Sequence, residues 1–438
     1  MARRRSVPRA SRPAAARSAL RGALEARWRA HAPRPFDPDR PAVRLHEATY
    51  GLPEITAALE CLLTTRVTMG PKVRGFESDF ARRFAYAHAT MVNSGSSANL
   101  LAIAALANPA VSPRFQPGDE VIVPALSWST TVWPLVQHGL VPVVVDIDPR
   151  TLNVDPAQVE RAIGPKTRGL MIVHVYGNPC DMAAITEIAR RRNLILVEDC
   201  CEALGASYAG RAVGRFGRVG TFSFYYSHHI TTLEGGMCVT GEEGLAETMR
   251  ILRAHGWVRE VEHPERYLKA HPDIHPRFLF VNQGYNLRPT ELQGAMGRVQ
   301  LPKLPGFVRV RAGNAAYWRK RFAVYADLFQ IQEETARGSH SWFGFPMVVR
   351  ESAPFKASEL TGFLERRGIE TRPLICGNIA EQPGLKLFPH RAVGDLPRAR
   401  HAMRAGFTFG NHQAVDVRAR RYVADTLEEF VASRGIRR

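Results

Sequence analysis

Short apolar stretches alternate with helical patterns along residues 90–255, and this alternation constrains the fold more than any other feature of the chain. Strands so short and apolar, separated by helices, predict an α/β fold with a mostly parallel sheet that is covered on both faces. The predicted strands are residues 120–124, 141–146, 169–175, 194–199, 220–225 and 237–240. The predicted helices are residues 97–106, 156–163, 181–192 and 243–255.

The pattern changes in the last third of the chain. Residues 286–319 are predicted to be largely helical, with interruptions at Pro302 and Pro305, and residues 341–349 and 368–372 look like strands of a smaller α+β domain. A chain of 438 residues is long enough for two domains. We therefore predict a basic disordered extension at residues 1–40, a large α/β domain at residues 41–305 and a small C-terminal domain at residues 306–438.

The net charge of +18 is unevenly distributed. Residues 1–34 hold ten arginines and one acid, Glu25, which gives +9 in a stretch rich in Pro, Ala and Ser. This composition predicts a disordered basic extension, although an Arg-rich, acid-poor segment also resembles an organellar transit peptide. The other +9 is spread over the remaining chain and suits an anionic, phosphorylated substrate. Only charge supports a nucleic-acid partner, so we expect none.

Neither a membrane segment nor a disulfide framework is expected. The longest apolar stretches, such as residues 140–145, fall far short of the roughly 18 residues that a membrane helix needs. No pair of the six cysteines has metal-type CxxC spacing, and Cys200 and Cys201 are adjacent at a predicted strand end. Reduced structural thiols indicate a cytoplasmic location.

Small and hydroxyl residues open a predicted helix at Asn93-Ser-Gly-Ser-Ser-Ala-Asn99. Small side chains let the backbone approach an anion, hydroxyls add hydrogen-bond donors, and a helix N-terminus favours negative charge. The stretch is equally compatible with ordinary N-capping by serine. The motif therefore leaves a phosphate site and a simple cap as alternatives.

Two strand ends carry residues suited to a pyridine cofactor. Residues 194–200 form an apolar strand that ends in acids, and Asp199 there could pair with a protonated ring nitrogen. Trp128 lies in the loop after another strand, where its ring could stack on a flat aromatic ring. Taken singly, each has an ordinary alternative, since strand-end acids often form caps or salt bridges and most tryptophans only pack.

Taken together and in this order, the motifs resemble those of the DegT/DnrJ/EryC1/StrS sugar aminotransferase family, a branch of the fold-type I pyridoxal-phosphate (PLP) enzymes. The resemblance covers nearly the whole chain from about residue 45. It implies an aspartate aminotransferase-like fold, with a large, mostly parallel sheet domain and a smaller α+β C-terminal domain, and it makes the large domain at residues 41–305 the PLP-binding domain. The matching stretches are residues 93–101, 117–122, 146–148, 174–179, 198–205, 220–236 and 284–293.

The resemblance also implies roles for individual residues. It makes Asp199 the partner of the pyridinium nitrogen and Trp128 the ring-stacking residue, and it places Glu202 near the phenolic oxygen, where relatives often have Gln or His. Asn286 would reach the cofactor phosphate of the neighbouring subunit, which implies a homodimer with shared active sites. The implied phosphate ligands are Gly95, Ser96, Ser97 and Ser223.

One position departs from the family pattern. Aligned on Ser223 and on Glu234, the lysine that binds the cofactor covalently in this family is replaced by His228. Histidine has no primary amine and cannot form a Schiff base, yet it can move protons near neutral pH. This exchange, followed by His229, resembles the pyridoxamine-phosphate (PMP) dependent 3-dehydratases of nucleotide-linked 4-keto-6-deoxyhexoses.

Two kinds of such dehydratases exist, and the cysteines separate them. One kind acts on CDP-sugars and holds an iron–sulfur cluster through cysteines after the cofactor loop, but this chain has no cysteine between Cys238 and Cys376. The other acts on a GDP-sugar without a cluster and recharges its cofactor from glutamate. Residues 371–379 and 406–413 resemble the second kind, which implies deoxysugar or O-antigen-type biosynthesis.

The resemblance implies a redox-neutral loss of the C3 hydroxyl. PMP condenses with the C4 ketone of the sugar, His228 removes the C4′ proton of the cofactor, and Asp199 keeps the ring protonated. The C3 hydroxyl then leaves, and hydrolysis gives the 3-deoxy-4-keto sugar and ammonia.

Two rival functions are weighed against the dehydratase. A nucleotide-sugar aminotransferase of the same family needs a lysine near position 228, and none lies between Lys166 and Lys269. A catalytically silent relative would only bind a nucleotide sugar or a partner protein. The joint presence of Asp199 and Trp128 with Ser223 disfavours that reading.

Overall fold

The structure, a computed structural model, describes residues 11–436, and side chains from residue 18 onward. Its α-helices are α1 Ser11–Arg29, α2 Leu52–Leu63, α3 Pro71–Phe84, α4 Gly95–Leu106, α5 Ser129–Gln137, α6 Pro156–Ala162, α7 Met182–Arg192, α8 Glu243–Arg253, α9 Glu265–Ala270, α10 Glu291–Gln300, α11 Leu304–Phe322, α12 Ala357–Arg366, α13 Pro397–Ala405 and α14 Val417–Ser433. Its strands are β1 His88–Val92, β2 Glu120–Pro124, β3 Val141–Val145, β4 Thr167–Val173, β5 Ile195–Asp199, β6 Ser207–Tyr208, β7 Arg211–Ala212, β8 Val219–Ser223, β9 Gly236–Thr240, β10 Phe329–Ile331, β11 Gly338–Ser339, β12 Phe345–Val349, β13 Thr371–Pro373, β14 Arg391–Ala392 and β15 Gly406–Phe409.

The main sheet has eight strands in the order β1-β9-β8-β5-β4-β2-β3-β14. The strands from β8 to β14 are parallel to their neighbours, whereas β9 is antiparallel to both β8 and β1. The prediction of a mostly parallel α/β sheet is confirmed, and each of the predicted strands is present. Strands β1 and β14 were not predicted. The second of these is only two residues long and comes from the C-terminal third of the chain.

Helices cover both faces of this sheet, as the apolar strands require. In β2, Val121 and Val123 belong to the core that contains residues of α4, α5 and α8. The intervening Ile122 belongs to the core on the other face, with residues of α6 and α7. Since side chains alternate between the faces of a strand, a strand buried on both sides must be apolar at every position. The helices on both faces hold the strands in place, and the candidate site lies at the carboxyl ends of β4, β5 and β8.

A smaller antiparallel sheet, in the order β10-β12-β15-β13, lies in the C-terminal part of the chain. Its core includes Trp318 of α11, which contacts Phe345 and Phe409 at ring-centroid distances of 5.2 and 5.0 Å. The two strands predicted here are present as β12 and β13. The predicted domain boundary after residue 305 falls at the start of α11.

The N-terminal extension corrects one expectation. Residues 1–10 lie outside the described residues, but Ser11–Arg29 forms a helix where a disordered segment was predicted. Arginine and alanine favour helix, and the end of this helix packs against the rest of the chain. The Trp28 ring lies 6.1 Å from that of Tyr50, and the buried Phe36 lies 5.3 Å from Tyr422. The composition of residues 1–40 alone could not reveal these contacts.

None of the described helices is long and apolar enough to cross a membrane.

Candidate active site

A cavity of about 330 Å³ opens at the carboxyl ends of β4, β5 and β8. Ligands of parallel α/β sheets gather at this edge. A larger cavity of about 670 Å³ lies at the opposite edge, beside Leu196 and Arg218, and contains none of the predicted site residues. The smaller cavity brings together seven of the residues predicted from sequence, namely Gly95, Ser96, Trp128, Asp199, Glu202, Ser223 and His228.

Asp199 is the last residue of β5 and is buried at the base of the cavity. Its Oδ2 atom accepts hydrogen bonds from Asn99 Nδ2 at 2.9 Å and Thr131 Oγ1 at 2.8 Å, and its Oδ1 accepts one from the Cys201 amide at 3.1 Å. Asn99 is itself oriented, because its Oδ1 accepts a bond of 2.6 Å from Thr221. A carboxylate accepts about four hydrogen bonds. One position is therefore left for a donor in the cavity.

The N-terminus of α4 forms one wall of the cavity. A Cβ atom on Gly95 would lie 2.5 Å from Ser223 Cβ, so a side chain there would force the helix away from the end of β8. Ser96 lines the cavity and donates to Thr130 Oγ1 at 3.2 Å. Backbone amides, hydroxyls and the helix dipole converge here, which suits a phosphate group.

Ser97 was predicted as a phosphate ligand, but its side chain is engaged elsewhere. Its hydroxyl donates to Asn93 Oδ1 at 2.6 Å, and its amide donates to the N-capping Ser94 at 3.0 Å. Ser97 is not among the residues that line the cavity. Here the alternative of ordinary N-capping describes the contacts better, because both polar groups are already satisfied within the turn.

Trp128 is the residue before α5, and it lines the cavity with 51% of its surface exposed. An exposed indole at the mouth of a cavity is available to stack on a planar ligand. The neighbouring Thr131 bonds to Asp199, so the loop after β2 contributes both to the wall and to the base of the site.

His228 lies in the loop between β8 and β9. Its amide donates to the Tyr225 carbonyl at 3.0 Å, and its ring lies 5.0 Å from the ring of Phe343. Nδ1 of His228 has no hydrogen-bond partner among the described residues. Burial lowers the pKa of His228 to about 3, and the positive charges of Arg311 and Arg372 contribute in the same direction. The imidazole is therefore neutral at pH 7 and able to accept a proton.

The next histidine has a different environment. His229 is buried, and its Nε2 donates to the Ser341 carbonyl at 3.0 Å. Since a carbonyl can only accept, the proton of the neutral ring lies on Nε2. Burial lowers the pKa of His229 well below its usual range. This residue anchors the loop to the segment before β12.

Glu202 lines the cavity, and its Oε2 accepts a bond of 2.8 Å from the Tyr176 amide. Tyr176 has the left-handed backbone conformation, with φ of 55°, which turns its amide toward this carboxylate. Burial raises the pKa of Glu202 to about 7, and the Tyr176 amide and Arg372 only partly oppose that effect. A carboxyl group titrating near neutrality can donate or accept a proton within the site.

Asn286 is exposed and does not line this cavity. Its Oδ1 accepts from Arg288 Nε at 3.0 Å, and its backbone pairs with Ala254. A residue meant for a neighbouring subunit's site would lie outside the cavity of its own chain. The role expected for Asn286 stays a prediction.

Four residues of the site were not found from the sequence. Asn99 and Thr131 orient Asp199, and the only signal for Asn99 was its place in a motif assigned to phosphate binding. Phe343 and Arg372 enter the cavity from the C-terminal part of the chain, 115 or more residues after His228. No local sequence pattern predicts a contact between residues so far apart in the chain.

The donor set fits PLP or PMP. An acceptor position remains on Asp199 for a pyridinium N–H. The indole of Trp128 lies at the mouth of the cavity, where it can stack on the ring. The N-terminus of α4 and the hydroxyl of Ser223 offer donors to a phosphate. Several buried polar atoms of the described residues have no hydrogen-bond partner, and of their residues it is His228, through Nδ1, that lines this cavity. No lysine lines this cavity, so the residues present offer no amine for a covalent link.

One further buried cluster is structural. His174, Glu198 and Cys200 lie close enough to suggest a metal site. However, the Glu198 carboxylate accepts from the amides of Gly214, Phe216 and Gly217 as well as from His174 Nε2. These bonds already satisfy the carboxylate, and they fix the turn before β8.

Comparison with known proteins identifies the family. The model of the DegT/DnrJ/EryC1/StrS aminotransferase family matches residues 51–428. The chain belongs to this family. It is 42% identical over 374 residues to the GDP-4-keto-6-deoxy-D-mannose 3-dehydratase of Yersinia pseudotuberculosis, covering 84% of this chain and 94% of that protein. It is 38% identical over 387 residues to the dTDP-4-dehydro-2,6-dideoxy-D-glucose 3-dehydratase of Saccharopolyspora spinosa, covering 86% and 84%.

A solved structure of GDP-4-keto-6-deoxymannose-3-dehydratase, with a trapped PLP–glutamate geminal diamine, is similar in fold. Its TM-score is 0.81 at 38% identity, and the match covers 88% of this chain and all of that chain. The family and the fold predicted from sequence are confirmed. The predicted cofactor is confirmed too, since this member of the family holds PLP.

Proposed function

We propose that this chain is a PLP/PMP-dependent 3-dehydratase that removes the C3 hydroxyl of a GDP-linked 4-keto-6-deoxyhexose. The observation that carries the proposal is His228, which occupies the cavity where a covalent cofactor link would need a lysine. The two curated relatives described above are both named 3-dehydratases of nucleotide-linked deoxysugars. The GDP-sugar is favoured because the more similar of the two acts on one.

When bound, the cofactor supplies the amine that reacts with the sugar ketone and the ring that accepts electrons. Asp199 would hold the ring nitrogen, since three donors keep its carboxylate in place and one acceptor position remains. Ser96 and Ser223, with the α4 N-terminus, would hold the phosphate. Trp128 would cover one face of the ring and exclude water there.

His228 would accept and return the proton at the reacting carbon, because its imidazole lines the cavity. A pKa of about 3 makes the imidazole a weak base in the chain alone. Anionic ligands offset the positive charges of Arg311 and Arg372, which raises the pKa of His228 toward the working pH. The ligands themselves would therefore activate this base.

Arg372 is an exposed cation that lines the cavity from β13. A guanidinium at this place suits ligands with carboxylate or phosphate groups. Glutamate, the expected amino donor that recharges the cofactor, carries two carboxylates, and the nucleotide sugar carries a diphosphate. Glu202, with a pKa of about 7, is placed to exchange a proton with a cofactor oxygen.

We further propose a homodimer with shared active sites. Asn286 is exposed at the edge of a segment that also exposes Ile274, Phe278 and Phe280. A cluster of exposed apolar side chains is typical of a protein interface. A second copy of the chain would cover them and bring its Asn286 to the neighbouring cavity.

The proposal is tested by incubating the enzyme with PMP and separate GDP-, dTDP- and CDP-linked 4-keto-6-deoxy sugars. Mass spectrometry should show a product with one oxygen atom fewer than the GDP-sugar, formed together with ammonia as PMP becomes PLP, and repeated turnover only when glutamate is added. An amino sugar as the product would favour the aminotransferase. No conversion of any sugar, despite tight cofactor binding, would favour a binding protein.

A further inference from the structure

Arg311 of α11 is a buried cation whose charge the reaction described above leaves unexplained. Only 2% of its surface is exposed. Burial lowers its pKa to about 9, so it remains charged at pH 7, and no carboxylate among the described residues contributes to that pKa. Burying a charge without an opposite charge is costly. By contrast, the other buried arginine close to the large sheet, Arg253, pairs with Glu77 at 2.7 Å.

The partners of Arg311 are carbonyl groups of two different loops. Its Nη1 donates to the carbonyls of Phe343 at 2.8 Å, Trp342 at 3.4 Å and Asn411. Its Nε has no partner among the described residues. Asn411 closes the arrangement, because its Nδ2 donates to the carbonyls of Arg311 at 3.2 Å and Trp342 at 3.3 Å. One guanidinium thus ties the segment before β12 to the segment after β15.

The loop that Arg311 holds is the one that contacts the proposed catalytic histidine. The ring of Phe343 lies 5.0 Å from that of His228 and 5.6 Å from that of His229. Phe343 also lines the cavity, whereas Arg311 does not. Any effect of Arg311 on the reaction must therefore pass through Phe343 or through its electric field.

The field of Arg311 acts in one direction on three histidines. After burial, Arg311 is the largest contribution that lowers the pKa of His228, His229 and His412. Arg372 on β13 also lowers that of His228. The acids that line the same cavity, Asp199, Glu202 and Glu234, oppose these positive charges.

We propose that Arg311 is a positioning residue that fixes Phe343 against His228 and supplies a permanent positive charge behind the His228 loop. Burial is the main cause that keeps the imidazole neutral, and the charge of Arg311 acts in the same direction while the cavity holds no anion. An anionic ligand then acts as the counter-charge of Arg311. A neutral apolar side chain of similar size would avoid the cost of burying a charge, but it would leave the carbonyls of Trp342, Phe343 and Asn411 without this donor. The chain keeps the cation, and the three histidines beside it give that charge a function.

The test uses full-length protein with His-selective isotope labels and compares wild type with Arg311→Met and Arg311→Lys. In the protein without cofactor, NMR should show that His228 of wild type stays neutral far below pH 6.5. In Arg311→Met its titration should move up by about one pH unit, since removing a nearby like charge has that order of effect. Arg311→Lys should retain most of the wild-type behaviour. The His228 signal is assigned from its absence in His228→Asn.

The matched control is Arg319→Met, which removes a positive charge from the same helix at a site that is 42% exposed and paired with Glu334. It should leave the titration of His228 unchanged. If Arg311→Met folds and His228 titrates as in wild type, the electrostatic role is overturned. Equal shifts in Arg311→Met and Arg319→Met would also overturn it, because the effect would then be one of net charge.

If Arg311→Met does not fold, Phe343→Leu tests the positioning role of Arg311 and Arg311→Lys tests the role of its charge. Phe343→Leu removes the ring contact but leaves the cation, so it should lower kcat about tenfold without moving the His228 titration. Unchanged kcat in Phe343→Leu would overturn the positioning role, and a large titration shift in Arg311→Lys would overturn the charge role. The link to catalysis rests on the proposed function. The NMR titration needs no substrate or cofactor, so the two ideas can fail separately.

Discussion

At the scale of single residues, the exchange of an ammonium for an imidazole at position 228 decides which chemistry the cavity permits. A lysine would hold the cofactor covalently and add a positive charge beside Arg311 and Arg372. His228 adds no charge at pH 7 and leaves the aminated cofactor free to react. The surrounding residues, Asp199 above all, are those proposed above to hold the ring.

His228→Lys should convert the site to covalent binding. The new amine can condense with the aldehyde of PLP, which should give a new absorption band and, after borohydride reduction, a cofactor adduct on the peptide that contains position 228. Dehydration should fall by roughly 10²–10⁴-fold, the usual contribution of a positioned acid or base. Wild type treated in the same way is the control, and an adduct on its His228 peptide would contradict non-covalent binding.

Asn99→Ala should weaken cofactor binding through Asp199. The change removes one donor to the carboxylate and leaves the Thr221 hydroxyl with only its longer bond of 3.4 Å to the Glu198 carbonyl, at a cost of about 1–3 kcal/mol in the free energy of unfolding. The dissociation constant for PMP should rise about tenfold. Asn108→Ala is the matched control, since Asn108 is equally buried just after the same helix but bonds to Asn282. Equal cofactor affinities in the two variants would show that Asn99 has no role in the site.

At the scale of helices and strands, the sequence predicted the strands best where both faces of the sheet are buried. The central strands are largely apolar because both faces are covered, and they appear within two residues of the predicted bounds. Strand β14 could not be found, because two residues carry no pattern and their pairing with β3 spans about 250 positions of sequence. The extension was misjudged for a related reason, since composition alone cannot show the contacts of Phe36.

The residues of the candidate site also divide into those that the sequence predicted and those that it could not. The residues found from sequence lie on the loops that follow β1, β2, β5 and β8, where position after a strand is itself a signal. Arg311 and Phe343 come from the C-terminal part of the chain, and only the packing of the two parts gives them a role. Ser97 lies in the motif but bonds within a local cap, so its role as a phosphate ligand stays a prediction.

Phe36→Ala should destabilise the protein although the residue lies in the N-terminal extension. Phe36 is only 8% exposed and belongs to the core of the C-terminal part with Phe430 and Val415. Removal of a buried phenyl ring costs about 3 kcal/mol. Denaturant unfolding measures the loss, and Leu387→Ala, at a leucine that is 79% exposed, is the control. Similar free energies of unfolding for the two variants would mean that Phe36 does not pack in the core and that its segment is disordered.

At the scale of the whole molecule, three buried histidines make the folded chain sensitive to acid. Burial lowers the pKa of His229, His340 and His412 below the ordinary value of 6.5, to about 3 for His412. Below pH 6.5 the unfolded chain therefore binds protons that the folded chain does not bind, so stability falls as the pH falls toward 3. Each histidine contributes a slope of up to about 1.4 kcal/mol per pH unit.

The prediction is measured by denaturant unfolding without cofactor at a series of pH values between 7 and 4. His412→Gln should be less stable at pH 7 but should show a shallower decline with acid than wild type. His271→Gln changes an exposed histidine, and its slope should match that of wild type. A slope that is unchanged in His412→Gln would mean that His412 takes up no proton on unfolding in this range.

The assembly of two chains is the last level at which the site can be tested. If Asn286 of one subunit serves the cavity of its neighbour, an Asn286→Ala chain and a His228→Asn chain are defective in different halves of a shared site. In a mixed dimer one cavity then carries both substitutions and the other carries neither, because His228 and the incoming Asn286 come from different chains. Mixing the two inactive proteins should restore up to half of the wild-type activity per mixed dimer, once subunit exchange has been verified by mass spectrometry.

The control mixture combines His228→Asn with Asp199→Asn, two substitutions in the cavity of the same chain. This mixture should restore no activity, since every mixed dimer keeps one defect in each cavity. No recovery in the first mixture would mean that each subunit completes its own site. Recovery in the second mixture would contradict the placement of His228 and Asp199 in the same cavity.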